Sequence, residues 1–380
     1  MKLLPSIALV LSTAVLSCTA AAITRQEVEQ NSAAGLHLID LAPGVEPVWK
    51  TEEEVEALIA QDIRFFDVTD VYDPGAAGTA AIAESSLLAT YTAPSRQAQV
   101  QPILANVSLS MMEDYLTTLT DFNNRYYTST TGLEASLWIR DTIATIISEN
   151  LGSGATVELF NHTWLQPSIV AKIPGTASQS PVTIIGGHMD SINSRSPSTG
   201  RAPGADDNGS GSANILEAFR VLVAAGFRPS TPVEFHWYAA EEVGLRGSQA
   251  IASSYKNVGV EVKAMLQLDM TAYVRPGTGP VVALVPDFTD SGLTTFVGQI
   301  VDEYTSLSWV INDPCGYACS DHASWNSQGY PAAFPFEGLF SNGNPNTHTD
   351  SDTASVAGFS LTHSLEYAKL ATAYAYELSA

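Results

Sequence analysis

The segment Val182-Thr-Ile-Ile-Gly-Gly-His-Met-Asp190 places a short apolar run directly before a histidine and an aspartate. Such a run, ended by glycines, is typical of a buried β-strand. Val233–Tyr238 and Lys263–Leu268 are two further strand-like runs, and acidic residues follow each of them. Beyond about residue 79, helical and strand patterns alternate, as they do in α/β proteins. The sequence therefore predicts an α/β fold with a buried sheet.

Side chains that can bind metal follow these three strands. His188 follows the first strand, Glu241 and Glu242 follow the second, and Asp269 follows the third. Because ligands of open α/β sheets bind beyond the carboxyl ends of the strands, we expect these side chains to meet in one crevice.

Other elements are predicted from their periodicity or composition. Amphipathic helices are expected at residues 109–122, 136–147 and 213–225, and strands at residues 156–160 and 168–172. Ser210 or Ser212 is the expected cap of the third helix, which follows the acidic stretch Asp206-Asp-Asn-Gly-Ser-Gly211.

The kinds of ligand indicate the kind of metal and of reaction. Imidazole and carboxylate without thiolate suit zinc, cobalt or manganese rather than an iron–sulfur or copper site. The adjacent pair Glu241 and Glu242 allows one carboxylate to bind metal while its neighbour transfers protons. This combination favours metal-assisted hydrolysis.

The first residues of the chain indicate secretion. Met1-Lys2 is followed by a mainly apolar run from Leu3 to Leu16 and then by small residues, which predicts a signal peptide over residues 1–21. A lipoprotein site at Cys18 is the alternative. No other window approaches the roughly 20 apolar residues of a membrane span, so we expect an extracellular protein with no membrane partner.

Cysteines and glycosylation motifs fit an oxidising compartment. If Cys18 leaves with the signal peptide, Cys315 and Cys319 remain, and such an even pair implies a disulfide that closes a tight loop. A Cys-x-x-x-Cys metal site is the alternative. Asn106 and Asn161 are expected to carry glycans, whereas a glycan on Asn208 would block the acidic motif.

Charge and length set further limits. The net charge of −23 over 380 residues argues against a nucleic-acid partner, because phosphates would be repelled. An acidic N-terminal region ends in Pro74-Gly-Ala-Ala-Gly78, which predicts a propeptide over residues 22–79 before a catalytic domain over residues 80–380. The alternative is an arm packed permanently on that domain. Trp49, Phe65 and Phe66 indicate that the region docks on something.

From about residue 85 to the C-terminus, the chain resembles secreted leucine aminopeptidases of the co-catalytic di-zinc type, similar to fungal extracellular enzymes and to bacterial leucyl aminopeptidases. Six motifs in order carry the resemblance: Gly-Gly-His188-Met-Asp190-Ser, Pro203-Gly-Ala-Asp-Asp207-Asn-Gly-Ser-Gly, Ala240-Glu241-Glu242-Val-Gly-Leu-Arg-Gly-Ser, Gln267-Leu-Asp269-Met, Cys315-Gly-Tyr-Ala-Cys-Ser-Asp-His-Ala-Ser-Trp325 and Thr347-His348-Thr-Asp. The resemblance implies a single catalytic domain with a mixed, largely parallel sheet flanked by helices on both faces. It also implies two zinc ions and peptide substrates with a free N-terminus.

The resemblance also implies roles for single residues. Asp207 would bridge the two metals, and Asp206 would support it. His188 and Asp269 would complete one site, and Glu242 and His348 the other. The remaining roles are a general base at Glu241, an oxyanion donor at Tyr317, a partner for the second ring nitrogen of His188 at Asp190, and an apolar substrate pocket at Met270, Phe334, Phe336 and Phe340.

Several alternatives stay open at this point. Tyr317 and the three phenylalanines would also suit simple packing, and His322 suits packing or a supporting role beside the metals. Three further histidines are expected to be structural or exposed, namely His162, His236 and His363. Competing functions are a related di-zinc carboxypeptidase, a glutaminyl cyclase and an inactive binding module of the same fold. We expect a monomer.

Overall fold

A computed structural model describes residues 23–42, 44–61, 63–74 and 91–380. The predicted signal peptide over residues 1–21, the lipoprotein alternative at Cys18 and the predicted boundary at residue 79 lie outside the described residues. The strands are β1 Leu36–Asp40, β2 Val48–Thr51, β3 Phe66–Asp67, β4 Thr156–Phe160, β5 Ser168–Ile173, β6 Val182–His188, β7 Val233–Tyr238, β8 Val262–Gln267, β9 Val281–Leu284, β10 Ser308–Ile311, β11 Ala332–Ala333 and β12 Pro335–Phe336. The helices are α1 Arg25–Ala33, α2 Glu52–Ala60, α3 Gln97–Leu104, α4 Leu109–Asp121, α5 Thr130–Glu149, α6 Gly211–Ala224, α7 Arg246–Val258, α8 Ser291–Tyr304, α9 His322–Ser327 and α10 Leu361–Ser379.

A six-stranded sheet forms the centre of the molecule. Its strand order is β11-β8-β6-β7-β5-β4. The four strands β11, β8, β6 and β7 run parallel, whereas β5 and β4 are antiparallel to their neighbours. The prediction of a mixed, largely parallel α/β sheet is therefore confirmed.

Helices cover both faces of this sheet because its strands are apolar on both sides. Ile185 of β6 packs in a large core together with residues of α5, α6, α8 and α10. Its neighbour Ile184 points to the other face, where it shares a second core with Ile251 of α7 and Trp325 of α9. Parallel strands buried in this way read as nearly continuous apolar runs, which explains the strength of the sequence pattern.

Helix α6 starts in a different way from the one the sequence predicts. The side-chain Oδ1 of Asn208 accepts a hydrogen bond from the backbone N–H of Gly211 at 3.0 Å, and neither expected serine caps the helix. The Ser212 hydroxyl donates instead to the carbonyl of His188, and the Ser210 hydroxyl donates to that of Asp206. The expected cap was wrong because both serines bind other backbone groups.

Residues 23–74, which we call the N-terminal arm, form a small antiparallel sheet in the order β2-β1-β3 with helices α1 and α2. His37 on β1 lies between the carboxylates of Asp67 and Glu52, at 2.7 and 2.9 Å. Residues 91–380 are called the larger domain. Val55 and Ile59 of α2 share a hydrophobic cluster with its Tyr126. The arm is thus folded and docked on that domain.

No helix in the described part of the chain combines the length and apolarity that crossing a bilayer requires.

Candidate metal centre and active site

The parallel strands bring four of the expected site residues to one edge of the sheet. His188 is the last residue of β6, Glu241 and Glu242 follow β7, and Asp269 follows β8. The other two expected ligands come from loops: Asp207 lies in the turn before α6, and His348 lies in the loop before α10. All six of these residues meet at the carboxyl end of the sheet.

Asp207 lies between the two histidines. Its Oδ1 is 3.2 Å from Nε2 of His188, and its Oδ2 is 3.1 Å from Nε2 of His348. Each carboxylate oxygen therefore faces a different imidazole, which is the arrangement that a bridging carboxylate requires.

Each of the two histidines also lies beside a second expected carboxylate ligand. Nε2 of His188 is 3.3 Å from Oδ1 of Asp269, and Nε2 of His348 is 2.9 Å from Oε2 of Glu242. At a tetrahedral zinc ion with bonds of about 2.0–2.2 Å, neighbouring ligand atoms stand about 3.3–3.6 Å apart. The other carboxylate oxygen of Glu242, Oε1, is buried without a hydrogen-bond partner. The donor set and this unpaired oxygen fit zinc.

Glu241 lies within reach of the same centre. Ligand atoms of His188, Glu241 and Asp269 fall within 4.8 Å of one another, as do those of His188, Asp207 and Glu242. By distance alone, Glu241 is therefore placed either to bind metal or to exchange a proton with a molecule at the centre.

Electrostatics favour positive charge at the centre. Burial lowers the pKa of His188, but the carboxylates of Asp269 and Glu241 outweigh it and raise that pKa well above its usual value. For His348, burial is likewise outweighed by Glu242 and Asp207. Burial acts to raise the pKa of Asp207, but hydrogen bonds with the two histidines hold that pKa far below its usual range. A bound metal ion would supply this positive charge in place of the additional ring protons, because metals bind the neutral form of imidazole.

The pKa of Glu241 moves in the opposite direction. Burial raises this pKa well above its usual value, and the carboxylates of Asp321 and Glu242 add to the effect while His188 opposes it. A glutamate in such surroundings holds a proton more readily than an exposed one does.

Asp190 has contacts beyond those that its spacing predicts. Nδ1 of His188 lies 3.2 Å from the Asp190 carbonyl oxygen and 3.6 Å from its carboxylate. The two carboxylate oxygens accept hydrogen bonds from the backbone N–H groups of Glu241 and Glu242, both at 3.1 Å. Asp190 thus ties the loop after β7 to the histidine of β6.

Other supporting contacts were missed by sequence reasoning. The hydroxyl of Ser320 donates to Oδ2 of Asp269 at 2.7 Å, and Asp352 accepts hydrogen bonds from the backbone N–H groups of Asp206 and Asp207. Ser320 directly follows Cys319 in the cysteine motif, and its place in that motif could have indicated a role at the site. Asp352 stands four residues after His348 in a polar loop and gave none.

The cysteine loop and the apolar residues lie together. Cys315 and Cys319 form a disulfide, and Tyr317 between them is half-buried at the edge of a cavity beside Glu241 and His348. An apolar cluster adjoins this loop. It contains Val285, Phe334 and Phe336, with Met270, Phe340 and both cysteines packed against it.

The remaining histidines lie in packed positions. His322 packs against Phe334 with ring centres 4.9 Å apart, and burial lowers its pKa to about 3. His162 stacks on Trp164, and His236 and His363 are buried. Among the described residues, none of these four belongs to a metal-ligand group.

The three glycosylation motifs differ in exposure. Asn106 and Asn161 are exposed, whereas Asn208 is fully buried, with its amide donating to the carbonyls of His188 and Leu268. A glycan on Asn208 is incompatible with this position.

The N-terminal arm closes one side of the cavity. Ile59, Ile63, Arg64 and Phe65 of the arm line it opposite Glu241. The space that remains is about 40 Å³. Sites for small organic molecules usually measure about 300–1,000 Å³. The docked arm therefore leaves less space than such sites usually have.

Comparison with protein-family models gives a match to Peptidase family M28 over residues 168–372. The chain belongs to this family. The matched range contains all five expected metal ligands and Glu241.

Named relatives extend the similarity over most of this M28 peptidase. Leucine aminopeptidase 1 of Blastomyces gilchristii is 42% identical over 91% of this chain and 90% of its own length. The probable leucine aminopeptidase 1 of Trichophyton verrucosum is 42% identical over 97% of this chain and 99% of its own length. The LapA aminopeptidase of Legionella pneumophila is 31% identical in sequence. Its crystal structure matches with a TM-score of 0.79, covering 92% of this chain and 96% of the LapA chain. The resemblance to leucine aminopeptidases is confirmed.

Proposed function

We propose that this M28 peptidase is an extracellular, monomeric aminopeptidase that binds two zinc ions and releases apolar residues such as leucine from the N-terminus of peptides. The observation that carries the proposal is Asp207, whose two oxygens face two different histidines beside Glu241. The names of the relatives support the reaction. The exposure of Asn106 and Asn161 supports glycosylation there, as a secreted protein would allow.

Five side chains would hold the metals. Asp207 would bridge them, with His188 and Asp269 on one side and Glu242 and His348 on the other. Bound zinc would supply Lewis acidity toward the scissile carbonyl and would make water a nucleophile near neutral pH.

Other residues of the site would transfer the proton, position the catalytic loop and stabilise the developing charge. Glu241 would accept the proton of the attacking water and pass it to the leaving amine. Asp190 would fix the backbone of Glu241 and Glu242 through its two hydrogen bonds. The Tyr317 hydroxyl would donate a hydrogen bond to the oxygen that gains charge.

Apolar residues beside the centre would determine which N-terminal residue is accepted. The cluster around Phe334 and Phe336, with Met270 and Phe340 at its edge, would receive an apolar side chain. The free amine of the substrate would be attracted by the acidic centre. Carboxypeptidases need cations for a terminal carboxylate, and among the described residues the only arginine that lines the cavity is Arg64 of the arm.

An assay with blocked peptides tests the proposed reaction. After cleavage between residues 74 and 91 and separation of the arm, leucine should be released from a peptide amide, and this release should be lost after treatment with a chelator and restored by zinc. An N-acetylated copy of the same peptide serves as the control and should remain intact. Release from the C-terminus, cyclisation of an N-terminal glutamine, or no turnover would reject the proposal.

We further propose that the N-terminal arm belongs to a propeptide that blocks the site. Asp67 anchors the arm: its backbone N–H donates to the Gly244 carbonyl, and its carbonyl accepts from Gln249. Arg246 of the larger domain contacts the carboxylates of Asp67 and Asp70, at 3.4 and 2.6 Å. These contacts lie on the segment that directly follows Glu241 and Glu242.

Weakening this anchor should release activity. Removing one partner of a buried ion pair costs about 3–5 kcal/mol, so Asp67→Asn should raise kcat/KM of the intact chain at least ~10-fold. Cleavage between residues 74 and 91 followed by separation of the arm should raise it at least as much. Glu53→Gln, an exposed change on the same arm, is the control and should have no effect. An intact chain as active as the separated larger domain would contradict the blocking role.

A further inference from the structure

Arg125 is a fully buried arginine between α4 and α5, in the sequence Asn123-Asn-Arg-Tyr-Tyr127. Its guanidinium donates hydrogen bonds to four backbone carbonyls. They are Met189 at 2.7 Å, Leu119 at 3.0 Å, Pro203 at 2.5 Å and Gly204 at 2.9 Å. Arginines are almost never fully buried unless their charge is paired. A buried guanidinium whose hydrogen-bond partners are all neutral carbonyls therefore requires an explanation.

The carbonyls it binds belong to the loops that carry the expected ligands. Met189 is the residue between His188 and Asp190, and Gly204 lies three residues before Asp207. A single guanidinium therefore links the end of β6 to the turn before α6 and to the last part of α4. These loops supply one histidine and the proposed bridging carboxylate.

The turn at Gly204 is shaped around the guanidinium. Gly204 has φ +49°, and a Cβ there would lie 2.7 Å from Nη2 of Arg125 and 2.6 Å from Cβ of Ser191. The Ser191 hydroxyl in turn accepts from the Arg125 backbone N–H and donates to the Ala202 carbonyl. The backbone thus approaches the guanidinium as closely as a glycine allows.

Arg125 has no ion-pair partner in direct contact. Among the described residues, no carboxylate oxygen lies within 4 Å of its guanidinium nitrogens. Burial lowers its pKa to about 10, and the more distant carboxylates of Asp352, Asp190, Asp207 and Glu242 oppose this shift. The side chain stays charged at neutral pH, and its fork of donors is directed wholly at backbone carbonyls.

We propose that Arg125 is a positioning residue for the metal centre, which sets the distance between His188 and Asp207 by binding both of their loops. The inference rests on the proposed function, in which these two residues bind zinc. A lysine would keep the charge, but it has no planar fork and cannot span the same four carbonyls.

Zinc affinity of the full chain tests this role. Loss of outer contacts of metal ligands typically weakens metal binding by about 10–100-fold, and we expect Arg125→Met to raise the zinc dissociation constant at least ~10-fold. Arg125→Lys should lie between the wild type and Arg125→Met. The rise in Tm that zinc causes should shrink in both variants, because stabilisation by a ligand depends on its affinity.

Arg201→Met is the matched control. Arg201 is exposed and donates to the carbonyls of Thr120, Asp121 and Phe122, at the same end of α4. Its loss should lower Tm equally with and without zinc and leave zinc affinity unchanged.

The outcomes separate the two proposals. Variants that fold and bind zinc as tightly as the wild type would overturn the role of Arg125. If Arg125→Met does not fold, Arg125→Lys decides: wild-type zinc affinity in that variant overturns the role as well. A wild-type chain that binds no zinc would instead reject the proposed function.

Discussion

Glu241→Gln should lower kcat by about 10²–10⁴-fold and leave zinc binding at two ions per chain. Glutamine keeps the size of the side chain but cannot accept the proton of the attacking water. Asp190 binds the backbone of Glu241 rather than its side chain, so the neighbouring Glu242 should keep its position. The measurement is kcat of the enzyme without its arm on a leucine peptide amide, together with metal analysis of the same sample.

His348→Ala provides the contrast to this variant. Its imidazole lies 2.9 Å from Glu242 and 3.1 Å from Asp207, so it should bind metal directly. This variant should lose one zinc before it loses structure. If both variants lost zinc to the same extent, the division between base and ligand would be wrong.

Asp207→Ala should have the largest effect on metal binding. Its two oxygens face His188 and His348, so its loss removes one carboxylate oxygen from beside each histidine. We expect affinity for both zinc ions to fall by more than about 100-fold, which exceeds the usual effect of losing an outer hydrogen-bond partner. Zinc titration of the metal-free variant measures this directly, and activity should be lost with the metal.

Circular dichroism distinguishes metal loss from unfolding in this variant. Asp350→Asn changes an exposed carboxylate two residues after His348 and is the comparison: it removes a charge and should leave zinc binding unchanged. Retention of one tightly bound zinc ion in Asp207→Ala would show that Asp207 serves one metal only.

The sequence predicted the strands and their ligands because both signals are local. The apolar run of β6 ends at His188 itself, and the order of elements places the residues after β7 and β8 at the same edge. Periodicity also found α4 almost to the residue. It missed the first turns of α5, where Ser129 caps the helix by accepting from Gly132.

Residues that act through long-range contacts could not be predicted in this way. Arg125 binds Met189 from 64 residues away, and Asp352 reaches Asp207 from 145 residues away. Neither stands directly beside a ligand in the sequence, and the partners named here are backbone groups, which carry no residue-specific signal. Such contacts appear only when the loops are brought together by folding.

The N-terminal arm shows an intermediate case. Its aromatic residues predicted that it docks, and Phe65 lies at the cavity and packs against the larger domain. Its ion pair with the larger domain joins Asp67 to Arg246, two charges far apart in the sequence, and composition alone does not pair them.

Zinc titration of metal-free enzyme from which the arm has been separated, with bound metal and leucine release followed in the same samples, tests the central claim most directly. The account predicts that binding saturates at two zinc ions per chain and that full activity requires both. Full activity with one bound zinc ion, or with none, would contradict it.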